Sequence, residues 1–543
     1  MKRYRHWIIA AALLLILIVL IKWSSSQTAM VPRASQAWSR GQVIGRTSLR
    51  RHVALHPAPD GGVFLVWHNV EEQLELAHIG QDGEVLLDRV LSVGAGQARD
   101  PQLEVDPGGR LSLLWREGDY PRSVVHYVSL ETDGTPAASP QALSDPARPA
   151  LDPPRLALDA QGNRHAIWAD EAGIQWAVLR ADGTLLREPT LLAPEGRFPD
   201  VRWGSRGQLH LIWQRQEVEK AQPLYYAVLD PESGLVEAPV EIAQVFLRTG
   251  QRLGEPAIAL TPETCYVFWW VQDFKYVISQ GEYALFPLTA PEQGQVVELR
   301  LQEGKNPATP YPLQDIRTPV LVALSVSVPD AEVAGTDRSQ ISVVTLKGDA
   351  IGEQIVTAST QASLKPVLIT DERSHLHLAW LETAEFGQYR VVYASTAPDV
   401  MANYNALTLL DTLDAVLSNV FRLSMVVVTA WAVVILWAIL PLVGLLVYHL
   451  VTGEETLDTV RSRVALGAAL ALEIGLSFAM PPTIGVQASW PALRWVAPAA
   501  VAVMTTLITV RVLRRRRYTN LFTAFFLFTA VNSVLQMVLY LLF

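Results

Sequence analysis

Four arginines recur just ahead of the first strand of successive repeats. They are Arg99 in QARDPQL, Arg148 in PARPALDPPRL, Arg197 in EGRFPDV and Arg252 in GQRLGEP. Gathered at one channel mouth, such a ring would bind an anionic ligand by charge-assisted hydrogen bonds. Left on separate loops, the same residues would be solvated charges or local pairs such as Arg99 with Asp100. A second set is His165, His210 and His377, each three residues before a tryptophan. Imidazole is a common metal ligand. Phe64 and Ser112 fill the same position in other repeats, however, and equivalent positions of distant repeats need not converge. These histidines therefore read as half-buried strand residues, and no metal or cofactor is assigned. A third set is Glu473, inside an apolar run, with Asn532 and Gln536 four apart on one face of another. An ionisable residue in lipid is costly and marks a functional site by default. The two amides could hydrogen-bond Glu473, for helix packing, partner docking or ion translocation.

The first two sets sit on a repeat that covers most of the chain. Its unit is an apolar strand, a turn with Asp or Gly, a strand ending in Trp, a polar gap, a third strand, a turn such as Asp-Gly and a fourth strand. DPGGRLSLLW, DAQGNRHAIW, GSRGQLHLIW and DERSHLHLAW show its centre. The tryptophans are Trp67, Trp115, Trp168, Trp213, Trp269 and Trp380. The last gap is about twice the others, and TPVLVALSVSV around Leu324 supplies a seventh unit without its Trp. Asp-Gly between apolar runs favours a tight hairpin, because Gly takes φ > 0 without steric cost. Four short strands in each ~50 residues is the spacing of a propeller blade. The tryptophan at a fixed strand position is expected to fill the gap between twisted sheets. The last unit, with Trp380, stops after YRVVYAST and lacks a fourth strand. RGQVIGRTSLR, residues 40–50, precedes the first unit and is expected to complete the last blade.

This pattern resembles the sialidase-like bacterial propellers, at the level of fold and over residues 40–398. The Asp-box S-x-D-x-G-x-T-W of that group is not present. The resemblance would imply an arginine cluster, a Tyr nucleophile and acidic partners. Arginines and tyrosines such as Tyr225 and Tyr226 exist, but the sequence does not show them converging, and no catalytic residue is assigned.

Outside the repeat the chain turns apolar. Half of the 543 residues are hydrophobic and 18% are charged, below the ~25% usual for soluble domains. Residues 1–29 carry Lys2, Arg3 and Arg5 before an apolar run from Trp7 to Ile21, a signal anchor or a signal peptide. Residues 30–400 form the propeller. Residues 401–421 place Leu410, Leu413, Leu417 and Val420 at helical spacing, an amphipathic juxtamembrane helix. Residues 422–543 hold four runs near the ~20 residues that span a bilayer: 423–450, 464–480, 493–512 and 521–543. Gly467, Ala471 and Gly475 would permit close helix packing there. Arg461, Arg463 and the cluster at Arg511 and Arg514–Arg517 set the cytoplasmic side. The count leaves the propeller outside the cytoplasm of a multi-pass plasma-membrane protein.

The expected fold is thus an all-β propeller, seven four-stranded blades, plus an α-helical transmembrane bundle. The net charge of −9 argues against a nucleic-acid partner, which wants a basic face. The single cysteine, Cys265, excludes an intramolecular disulfide. The absence of any Asn-x-Ser/Thr sequon is consistent with a bacterial source. The expected role is a ligand- or protein-binding or scaffold module, with a glycan or other anionic ligand, a membrane or extracytoplasmic protein partner, and the bilayer. The alternatives are a membrane-bound glycan hydrolase and a transporter or complex subunit that uses Glu473.

Overall fold

The computed structural model describes residues 37–406, apart from 95–96, 216–220, 233, 236–237, 330–335 and 348–349. Beyond them it describes isolated positions between 409 and 417, then 436–479, 493–516 and 520–542. The chain divides into two units, Pro32–Ala406 and a second of Met1–Val31 with Leu407–Phe543.

The first unit consists of seven antiparallel sheets, six of them built from consecutive strands. Blade 1 runs through Ala54–Pro57, Val63–His68, Leu74–Ile79 and Val85–Val90. Blades 2, 3 and 6 repeat this order with four strands, whereas blades 4 and 5 have five, a departure from the expected four. The turns follow from side-chain chemistry. Asp60, Asp106, Asp159 and Asp371 follow the first strands and accept backbone N–H groups two to four residues on. Asp82, Asp133, Asp182 and Asp230 do so before the fourth strands. Such short-range bonds fix a hairpin before any long-range contact forms.

The tryptophans act between blades, as expected. All six are at most 3% exposed, and each packs against the preceding blade. Trp115 lies among Phe64, Val66 and Leu76, and Trp213 among Ile167, Ile174 and Trp176. Trp380 lies with Ala323 and Ile341. Blade 6 lacks the tryptophan because blade 5 supplies the bulk: Phe268 and Tyr283 pack with Leu324.

The ring closes as its sequence predicts. Gln42–Thr47 pairs antiparallel with Tyr389–Ser395 and is the fourth strand of blade 7. Its glycines allow close approach. A Cβ on Gly45 would stand 2.4 Å from Trp67 Cζ2, and one on Gly41 would stand 2.8 Å from Trp380 Cζ2. A short helix, Pro398–Tyr404, then ties down the exit of the chain. Tyr404 Oη donates to Gly83 O at 2.9 Å, and Arg40 N donates to Asn405 Oδ1 at 2.8 Å. This helix ends within the propeller unit. Of the expected 401–421 helix, Leu410 and Val420 lie outside the described residues, while Leu413 and Leu417 are exposed.

The second unit contains the helices Val460–Ala479, Leu493–Arg516 and Leu521–Leu542. Among the described residues no helix is long and apolar enough to cross a membrane. This departs from the four expected spans. The first two helices carry Arg461, Arg463 and Glu473, and Arg494, Arg511 and Arg514–Arg516, within their length. Residues 1–36, with the run Trp7–Ile21, and residues 423–435 lie outside the described residues.

Candidate functional site

The first strands of all seven blades face a central cavity of about 540 Å³. Local backbone geometry decides what points into it. In four blades this strand carries a register break beside a non-glycine residue in the left-handed region: Asp100 (φ 51), Phe198 (φ 51), Thr309 (φ 49) and Lys365 (φ 53). Each is followed by proline, which normally pushes its predecessor to extended backbone. Such a conformation costs on the order of 1–3 kcal/mol per residue and persists where the surroundings impose it, commonly at functional sites. A bulge also re-aims side chains. Phe198, Thr309 and Lys365 all line the cavity.

The cavity holds more cation than anion. Arg50, Arg51, Arg155, Arg202, Arg252 and Lys365 line it, against Glu104, Asp200 and Glu255. Asp200 is a buried hub. Its Oδ1 accepts from Arg155 Nε at 2.9 Å and Arg202 Nη1 at 3.2 Å, and its Oδ2 from Ile258 N at 3.0 Å. Glu104 stands 3.3 Å from His56 Nε2. Burial would raise the carboxyl of Glu255, but Lys365, His52, Arg155 and Arg51 together bring it down to about 2. Burial, aided by the charge of Lys365, lowers His52 to about 3, so its ring is neutral at pH 7. Lys365 Nζ lies 3.4 Å from His52 Nε2, and the His52 ring stands 5.7 Å from that of Tyr311. Aromatic faces complete the wall at Phe198, Trp203 and Trp270. Gly254 makes room for one of them, since a Cβ there would meet Trp270 Nε1 at 1.9 Å.

Of the four arginines singled out from the sequence, Arg252 lines the cavity and the other three do not. Arg99 pairs with Asp119, and Arg148 is exposed in a turn closed by its own N–H on Asp145 O. Arg197 forms a bidentate pair with Asp152 at 2.7 and 2.8 Å. The expected neighbour Asp100 instead pairs with Arg116 at 2.7 Å. The other cavity cations, Arg50, Arg51, Arg155, Arg202 and Lys365, come from other positions of the repeats. A sequence signal exists for Lys365 alone: it precedes Pro366, as Phe198 precedes Pro199 and Thr309 precedes Pro310, and all three are re-aimed into the cavity.

The three histidines are packing residues. His210 Nδ1 meets Tyr226 Oη at 2.6 Å, and His377 Nδ1 meets Tyr393 Oη at 2.7 Å. His165 takes the Trp176 indole N–H at 3.2 Å. Among the described residues no group of three or more His, Cys, Asp or Glu could hold a metal ion. Cys265 is buried in blade 5, and burial pushes its thiol up. In the helical unit, Glu473 is fully buried and accepts from Asn532 Nδ2 at 3.3 Å, as the sequence allowed. It also accepts from Thr529 Oγ1 at 2.8 Å, which sequence reasoning missed. Gln536 is buried on the same helix face, and its Oε1 has no hydrogen-bond partner among the described residues.

Fold and site together define a seven-bladed propeller with a cation-rich, aromatic-rimmed central cavity. No protein-family model and no curated protein sequence matches the chain. Similar solved structures include the polysaccharide lyase Uly1, at 12% identity and TM-score 0.46, covering 65% of this chain and 91% of that one. A PL25 ulvan lyase bound to a GlcA–Rha3S unit matches at 9% identity and TM-score 0.46, covering 66% and 95%. The NanB sialidase of Streptococcus pneumoniae matches at 9% identity and TM-score 0.37, covering 68% and 71%. The resemblance to sialidase-like propellers is one of fold.

Proposed function

We propose that the chain is a membrane-tethered, extracytoplasmic binding module whose propeller takes an anionic ligand, a carboxylated or sulfated glycan, in its central cavity. The observation that carries the reading is the charge balance of that cavity. Six cationic side chains face three carboxylates, and two of the cations, Arg155 and Arg202, share one of them. Arg50 and Arg252 reach the same space with exposed side chains. Guanidinium groups in a confined, partly desolvated site bind carboxylate or sulfate bidentately. Trp203, Trp270 and Phe198 offer faces on which sugar rings can stack. The membrane part of the proposal rests on the apolar runs at 7–21 and 423–543 and on the arginine-rich segments between them.

Two of the three cavity carboxylates support binding over acid-catalysed hydrolysis. Glycoside hydrolysis needs a carboxylic acid held protonated near neutral pH. Asp200 is tied to two arginines, and Glu255 is held ionised. Titration of the purified chain with an oligouronate and with its neutral parent oligosaccharide tests the ligand. Saturable binding of the uronate alone supports the proposal, and equal binding of both contradicts it. Resistance of the native chain to alkaline extraction from membranes tests the tether.

A further inference from the structure

The central cavity presents one amine, that of Lys365, among five guanidinium groups. Only seven of the 44 basic residues in the chain are lysines. The cavity follows that bias at positions 50, 51, 155, 202 and 252, all arginine, and breaks it at 365. A guanidinium stays protonated and is no nucleophile, whereas a desolvated lysine amine is a good one. Lys365 is also held in an uncommon way, at φ 53 before Pro366 on a bulged strand, so its backbone is strained to aim it inward. Its Nζ contacts a neutral imidazole, His52 Nε2, at 3.4 Å, and no carboxylate lies within ion-pair distance of it among the described residues. The charged groups facing it are Glu255 and Asp100, which favour its ammonium, and Arg50 and Arg51, which disfavour it. Burial is the largest influence, and the net effect lowers its pKa.

We propose that Lys365 forms a reversible imine with an anionic carbonyl compound, such as a 2-oxo acid, bound in the central cavity. The inference rests on the anion-binding reading of the cavity, since the arginines hold the carboxylate of the compound. The neutral Nζ donates its lone pair to the carbonyl carbon, and a C–N bond forms as the C=O π electrons move to oxygen. The His52 imidazole relays one proton from Nζ to that oxygen, which gives a carbinolamine. It then relays the remaining Nζ proton to the hydroxyl, the C–O bond breaks with loss of water, and the C=N bond closes. Hydrolysis reverses each step, and no oxidant or reductant is consumed.

The experiment is reductive trapping on the purified full chain. The protein is incubated with glyoxylate and sodium cyanoborohydride, which delivers hydride to the C=N carbon, and adducts are mapped by peptide mass spectrometry. The expected result is one saturable carboxymethyl adduct at Lys365, slowed by the unreactive carboxylate glycolate and lost in K365R. In H52F, trapping at Lys365 is expected to slow while glycolate affinity is kept. Adducts spread over Lys275, Lys305 and Lys347 at rates equal to Lys365 would overturn the proposal. Glycolate binding without any adduct at Lys365 would overturn the imine and leave the anion site standing. Failure of both glycolate binding and trapping would overturn the anion site as well.

Discussion

Replacement of Asp200 separates the cost of the cavity to the fold from its benefit to a ligand. The carboxylate is 4% exposed, and the arginines it joins, Arg155 and Arg202, are 19% and 10% exposed. Asp200→Asn keeps the shape and the bond from Ile258 N but removes the counter-charge of two guanidiniums. Breaking a buried ion pair by removing one partner costs about 3–5 kcal/mol. The cavity is open to water, so the lower end applies, about 3 kcal/mol. At roughly 2 °C per kcal/mol for a large domain, the melting temperature of the propeller should fall by about 6 °C. The same change raises the net positive charge of the cavity by one and frees Arg155 and Arg202 for a ligand. An oligouronate should therefore bind D200N more tightly than the native chain, and its binding should recover part of the lost stability. Differential scanning fluorimetry with and without oligouronate reads both effects. A melting temperature within a degree of the native value, or weaker uronate binding by a folded D200N, would refute the reasoning.

Three further outcomes follow from other parts of the molecule. Gly45→Val should drive its side chain into Trp67 and loosen the closing strand, costing about 1–3 kcal/mol by chemical denaturation; the same change at Gly207, which has nothing within 4 Å but φ 72, should cost through backbone strain instead. Burial lowers His210 and His377 to about 4, so the folded state resists their protonation while the unfolded chain accepts it from pH 6.5 downward. Stability is then full above pH 6.5 and declines as pH falls toward 4, and a pH series of denaturation curves should flatten in a His210→Phe, His377→Phe double variant. Glu473→Gln should leave the helical unit nearly as stable as the native one, because the amide oxygen can accept from Asn532 Nδ2 while the new N–H donates to the Thr529 hydroxyl. Glu473→Leu should cost about 1–3 kcal/mol on a detergent-unfolding curve, by stranding both donors.

The fold was legible because its signals are local and repeated. Asp-Gly turns fix hairpins within ten residues of chain, and a tryptophan at one strand position needs a neighbouring sheet to cover it. The closing strand was legible for the same reason: residues 42–47 look like a fourth strand, and blade 7 lacks one. The missing tryptophan of blade 6 was visible as a gap, but its cause was not, since Phe268 and Tyr283 compensate from another blade. The site was less legible. Arg99, Arg148 and Arg197 stand at the right height along their repeats, yet their direction depends on which carboxylate is nearest, and Asp119 and Asp152 claim two of them. Bulges turn Phe198, Thr309 and Lys365 inward instead, and bulges have no composition signal beyond the proline that follows. Glu473 with Asn532 was readable from helical spacing, whereas Thr529 required the actual rotation of the two helices.

The central claim, that the channel cavity is an anion site, is tested most directly by isothermal titration of the full chain with an oligouronate, repeated on an Arg252→Ala, Lys365→Ala double variant. Neither side chain has a carboxylate within ion-pair distance among the described residues, so their loss should spare the fold. The account predicts saturable, salt-sensitive binding to the native chain, at least about tenfold weaker in the double variant. Equal affinity of the two proteins, or binding by the native chain that salt does not weaken, would contradict it.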